Sequence, residues 1–195
     1  KEYRRQRQMC IRDRWEALRP LLPELHKYGL LEDVALRGLE AELWDALIGS
    51  IADQSDGSVN DLEALWRGIP LVQRDQMELR VRYLEALIKL RGYREAEKQL
   101  VAWLGKELNG ELAAFLGRFP PDNPRKLLKI IQKWLEVPTH DGALLLAAAR
   151  VALHAQDWET ARVWLEESHQ RGATAENCCE LARFYGARGE HERAS

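Results

Sequence analysis

Apolar residues recur at intervals of three and four along almost the whole chain, and no stretch alternates apolar with polar for long enough to form a strand. The pattern predicts helices joined by short turns. Trp15 to Tyr28 reads as a first helical segment, interrupted at Pro20 and Pro23 and ended at Gly29. From about Glu32 to Ala52 the residues Leu36, Leu39, Leu43 and Leu47 hold one face, until the polar run Asp53 to Ser58 breaks it. Asn60 followed by Glu63 has capping-box spacing and is expected to start a short helix, Asp61 to Gly68, that Pro70 closes. Asp75 with Glu78 repeats that spacing ahead of a helix from Gln76 to Leu90. A turn at Arg91-Gly92 then returns the chain with Ala96, Leu100, Trp103 and Leu104 on one stripe, which predicts an αα-hairpin.

A short helix is expected from Glu111 to Gly117. After it, Asn123-Pro124 offers an N-cap with proline at the first helical position. The helix so opened carries Leu127, Leu128, Ile131, Trp134 and Leu135 on one face. Ala143 to Ala155 follows, then a turn at Gln156-Asp157 and a returning helix with Trp158, Ala161, Leu165 and Ser168 that Gly172 ends.

Three of these turns align as strings. They are Leu90-Arg91-Gly92-Tyr93-Arg94-Glu95-Ala96, Ala155-Gln156-Asp157-Trp158-Glu159-Thr160-Ala161 and Arg188-Gly189-Glu190-His191-Glu192-Arg193-Ala194. In each, an aromatic or His precedes the alanine by three. Ala161 and Ala194 stand 33 residues apart, and Ala96 and Ala161 stand 65 apart, close to one and two periods of a tetratricopeptide repeat of about 34 residues. Glu111 to Leu135 supplies the intervening unit, with Leu127 at the small-residue position. A small residue there lets the second helix approach the first. Tyr83-Leu84, Ala148-Ala149 and Leu181-Ala182 fall where the first helices should make a large-plus-small contact. The predicted fold is all-α, with antiparallel helix pairs stacked as a right-handed, tetratricopeptide-like solenoid. Residues 1–14 read as a leader outside the fold, because Met9-Cys10-Ile11-Arg12-Asp13-Arg14 resembles translated adaptor sequence. Residues 15–74 read as degenerate helical repeats and 75–195 as tetratricopeptide-like repeats, the last expected to be cut short.

The order and spacing of several features resemble the carboxy-terminal portion of the HemY family, tetratricopeptide proteins associated with haem biosynthesis. These features are Trp15 with Leu21-Leu22-Pro23-Glu24-Leu25, Ala41-Glu42-Leu43-Trp44 and Leu62-Glu63-Ala64-Leu65-Trp66, then the Asn123-Pro124 cap and Ala143-Leu144-Leu145-Leu146-Ala147 leading to Trp158. The resemblance implies a scaffold or adaptor acting in haem or porphyrin metabolism. Its partners would be haem-biosynthesis enzymes, met at the bacterial inner membrane through amino-terminal helices that this stretch lacks. The stretch itself is then expected to be a soluble, cytoplasmic domain. Two alternatives stand beside it: a haem or porphyrin carrier holding the tetrapyrrole in the concave groove, and an interaction array unrelated to haem.

Charge narrows the partners. Lys plus Arg number 29 against 31 Asp plus Glu, without the basic excess that nucleic-acid phosphates demand. No apolar stretch approaches the roughly 20 residues of a membrane-spanning helix. There is no GxSxG, no glycine-rich phosphate loop and no histidine spacing suited to zinc, so no enzyme and no metal site is predicted. Cys178 and Cys179 are adjacent and point about 100° apart on a helix, which favours packing over ligation. Trp103, Trp134, Trp158 and Trp164 are likewise expected in the core. The concave face of such an array is lined by first-helix residues, among them Glu85, Lys89, Arg150, His154 and Arg183. Arg150 and Arg183 share a repeat position one period apart, so their guanidinium groups could clamp one carboxylate of a partner or a porphyrin. His154 is the candidate haem ligand. The competing reading pairs both arginines with glutamates of adjacent helices.

Overall fold

The computed structural model describes residues 13–29, 31–136 and 141–187, and among these every regular element is a helix. The chain divides into two compact units, 1–92 and 93–195.

In the amino-terminal unit, residues 13–18 are helical, a 3₁₀ turn spans Arg19–Leu21, and α1 spans Leu22–Tyr28. Pro20 and Pro23 each fall in the first turn of a new helical piece, where a missing N–H leaves no bond unmade. Gly29 closes α1 in the left-handed conformation, φ 57°. Helix α2 (Asp33–Asp53) buries Leu36, Leu43, Trp44, Leu47 and Ile48. Helices α3 (Val59–Gly68), α4 (Leu71–Arg74) and α5 (Met77–Lys89) follow, and α2 packs against both α3 and α5. At their junction the Trp66 ring stacks on Tyr83, centroids 4.1 Å apart, with Tyr83 wholly buried. Burying a side chain of that size contributes about 1.5–3 kcal/mol.

Two expected caps are displaced. Ser58, not Asn60, caps α3: its Oγ accepts the Asp61 N–H at 3.2 Å, because the helix starts at Val59 and already contains Asn60. Asp75 does not cap α5. It terminates α4, and its carboxylate receives Arg80 Nη2 at 2.5 Å. The packing of α2 on α5 joins that helix to its predecessors in the first compact unit, which ends at Gly92.

The carboxy-terminal unit holds α6 (Tyr93–Leu104), α7 (Gly110–Ala113), α8 (Pro124–Leu135), α9 (Gly142–His154), α10 (Trp158–Arg171) and α11 (Ala175–Ala187). The Asn123 side chain caps α8 through the Lys126 N–H at 3.0 Å, with Pro124 in the first turn. Helix α9 is the centre of this unit. It packs against α7, α8 and α10, and all nine residues from Leu144 to Ala152 are buried, as an apolar helix with no wet face must be. Helix α11 packs on α10.

The turns after α5 and α9 have one geometry. Arg91 and Gln156 are the described non-glycine residues at positive φ, 58° and 60°. Gly92 N–H bonds Leu87 O at 2.8 Å and Arg91 N–H bonds Ile88 O at 3.0 Å. Asp157 N–H bonds Ala152 O and Gln156 N–H bonds Leu153 O, both at 3.0 Å. Each is a Schellman closure, and the two fall at aligned positions of the strings. The third string, Arg188 to Ala194, lies outside the described residues. Behind the two turns, Ala96 and Ala161 are wholly buried, as are Tyr83, Leu84, Ala148 and Ala149; Leu181 is half-buried and Ala182 exposed.

The second-helix tryptophans depart from expectation. Trp103, Trp134 and Trp164 are half-buried and Trp158 is 47% exposed, while the buried indoles are Trp44 and Trp66. Trp158 is the first residue of α10, held at the helix end and not over the core. No helix among the described residues is long and apolar enough to cross a membrane.

Candidate functional site

The carboxy-terminal unit builds a ladder of charge from three elements. Arg150, near the end of α9, sends Nη2 to Glu176 at 2.7 Å and to Glu180 at 3.0 Å, and Nε to Glu180 at 3.1 Å. Both glutamates stand on α11, four residues apart and therefore on one face. Arg118, from the loop after α7, reaches Glu176 at 3.5 Å, and Arg183 reaches Glu180 at 3.7 Å. The order is Arg118, Glu176, Arg150, Glu180, Arg183. Among the arginines the central one is buried and the outer two are not: the side chain of Arg150 is 10% exposed, those of Arg118 and Arg183 44% and 77%. The hydrogen bond from Arg150 holds the Glu176 carboxyl below the usual carboxylate range, with the charges of Arg150 and Arg118 adding to the effect and partial burial opposing it.

Gly117 makes this approach geometrically feasible. It lies at φ 74°, and a Cβ placed there would sit 2.3 Å from Arg150 Cβ. The loop therefore rests directly on α9. His154 Nε2–H donates to the Gly117 carbonyl at 3.2 Å.

Of the five concave-face candidates, Arg150, His154 and Arg183 belong to this unit. Arg150 and Arg183 do meet at one carboxylate, but it is Glu180 of the chain itself. For Arg150 the pairing with glutamates of an adjacent helix is what the structure has; Arg183 meets Glu180 of its own helix, and only at 3.7 Å. Glu85 and Lys89 lie in the amino-terminal unit, where Glu85 meets Arg82 at 3.7 Å and Lys89 pairs with Asp53. Arg118, Glu176 and Glu180 escaped the sequence reading. The four-residue spacing of the two glutamates was visible; their alignment with an arginine 26 residues earlier was not.

Other polar clusters are smaller. Glu40, 6% exposed, accepts His26 Nε2–H at 2.8 Å and Gln73 Nε2–H at 2.5 Å, which ties α1 and α4 to α2. Cys178 and Cys179 are both exposed, not packed as expected, and Cys178 Sγ lies 3.7 Å from His169 Nδ1. Among the described residues no three His, Cys, Asp or Glu side chains are grouped to hold a metal ion. No family model, no characterised protein and no solved structure matches this chain.

Proposed function

We propose that the chain is a non-catalytic scaffold of tetratricopeptide type, its helix pairs stacking as a right-handed solenoid, and that it works by binding protein partners. One observation carries the reading: two turns 65 residues apart close with a left-handed residue at the same position and the same pair of backbone bonds, each followed by a wholly buried alanine. Repeated hairpins that bury small residues leave their outer faces for partners, and such arrays serve as binding platforms. The exposed arginines at the two ends of the ladder, Arg118 and Arg183, are the groups an acidic partner would meet.

The haem setting rests on the resemblance in residue order to the HemY family. It makes haem-biosynthesis enzymes at the bacterial inner membrane the partners to look for. The tetrapyrrole-carrier alternative draws less support, because Arg150 is occupied by two glutamates and His154 Nε2 by a carbonyl. Affinity capture with the intact chain, quantified against Arg118→Glu/Arg183→Glu, should enrich tetrapyrrole-pathway enzymes on the parent only. Equal capture by both would refute the assigned surface. Titration with haemin should give no saturable Soret shift; a saturable shift lost in His154→Ala would install the carrier reading instead.

A further inference from the structure

The amino-terminal unit contains an open groove of about 440 Å³ lined by Trp15, Ala41, Glu42, Asp45, Gln76, Glu78 and Leu79. Its volume lies within the roughly 300–1,000 Å³ range of ligand pockets. Ala41 and the buried Leu79 supply apolar surface and Trp15 an indole, while the charged lining residues are three carboxylates and no cation. Asp45 is neutralised by Arg82, whose Nε lies 3.0 Å away. Glu42 and Glu78 have no hydrogen bond or ion pair among the described residues. Glu42 stands on α2 and Glu78 in the first turn of α5, so these two carboxylates, without an ion pair among the described residues, come from different helices, which themselves pack together.

An indole, an apolar surface and two carboxylates lining one groove match the chemistry of an arginine or lysine side chain. The alkyl stem lies on carbon, the cation meets the ring face, and the head meets the acids. We infer that this groove docks a basic, arginine- or lysine-bearing segment of a partner protein. The inference deepens the scaffold reading and rests on it, but its residues are other than Arg118 and Arg183 and belong to the amino-terminal unit.

The test is fluorescence anisotropy of a labelled twelve-residue peptide of alternating Arg, Lys and Leu, titrated with the intact chain. Saturable binding that weakens as salt rises is expected. Glu42→Gln/Glu78→Gln should raise Kd by roughly tenfold, since exposed charge pairs and a ring contact are each worth only a few-fold. Trp15→Leu keeps the apolar surface and should raise Kd by roughly threefold. Circular dichroism checks that the variants stay folded, and exposed Glu→Gln changes leave the core untouched. The inference is overturned if no saturable binding occurs, if a peptide with every Arg and Lys changed to Gln binds as tightly, or if the double variant binds like the parent. Arg118→Glu/Arg183→Glu should leave this titration unchanged. Failure here and failure of the capture experiment are therefore distinguishable.

Discussion

Replacing Gly117 by alanine should be among the most damaging single-methyl changes in the carboxy-terminal unit. Two costs act together. At φ 74° an L-residue carries left-handed strain of about 1–2 kcal/mol. The new methyl would also lie 2.3 Å from Arg150 Cβ and 3.2 Å from the Arg150 carbonyl carbon and the Val151 nitrogen. Those are atoms of a buried helix that cannot swing aside, and overpacking of that kind costs about 1–3 kcal/mol. The sum is about 2–5 kcal/mol, a large part of the stability of an ordinary domain. Gly38 provides the opposite control: it is exposed inside α2 with nothing within 4 Å of a built Cβ. Gly38→Ala should stabilise by about 0.5–1 kcal/mol through helix propensity. Urea unfolding followed by circular dichroism measures both, and hydrogen exchange along α9 localises the first. If Gly117→Ala lies within 0.5 kcal/mol of the parent, the loop does not rest on α9 as described.

Three further outcomes follow from the same geometry. Glu176 has a folded pKa below its unfolded value, so its contribution is present above the unfolded carboxylate range, about pH 4.3, and is lost as pH falls through the folded value. Glu176→Gln should therefore lower the urea midpoint at pH 7, by a modest amount because the side chain is 48% exposed, and the difference from the parent should shrink as pH falls below the unfolded carboxylate range. Ser58→Ala should cost about 1 kcal/mol and Asn60→Ala under about 0.5 kcal/mol; the reverse ranking would restore Asn60 as the cap. Ala161→Leu forces a larger side chain into a fully buried position and should cost about 1–3 kcal/mol in thermal or urea melts, whereas the half-exposed Val163→Ala should shift them by under about 0.5 kcal/mol.

Features decided by local chemistry were legible in the sequence. Gly29, the Asn123-Pro124 cap and the turn at Gln156-Asp157 each depend on a few neighbouring residues, and each stands where expected. Ser58 and Asn60 show where local reading fails: Ser58 with Asp61 and Asn60 with Glu63 have the same spacing. The choice between them falls with the helix start at Val59, which places the fully buried Leu62 on the inner face. Helix α4 was illegible because four residues hold barely one turn of periodicity. The exposed Trp158 was misread for a related reason, since the apolar stripe of α10 predicts a face but not how far the core extends along it. At the site, register alone placed Arg150 and Arg183 together. Identifying the carboxylate between them required knowing how far apart α9 and α11 lie.

That carboxylate decides which arginines are open to a partner. To clamp an external acid, Arg150 would have to release Glu176 and Glu180, and Glu180 is itself only 16% exposed. Breaking a buried charge pair costs about 3–5 kcal/mol, whereas a new ion pair at the surface returns about 0.2–1 kcal/mol. The exchange is unfavourable. Arg150 therefore fixes α11 against α9, and its removal should act through stability before it acts through binding. Arg118 and Arg183 differ in kind, because each holds its glutamate only at 3.5–3.7 Å and its side chain is 44% or 77% exposed, although the Arg118 guanidinium also lies over the Phe115 ring, 5.3 Å from its centroid. The ladder carries three arginines against two glutamates, one positive charge in excess, which one acidic group added at either end would balance. The meeting of α9 with one face of α11 explains why two arginines converge on Glu180, and burial explains why only the outer arginines of the ladder are exposed.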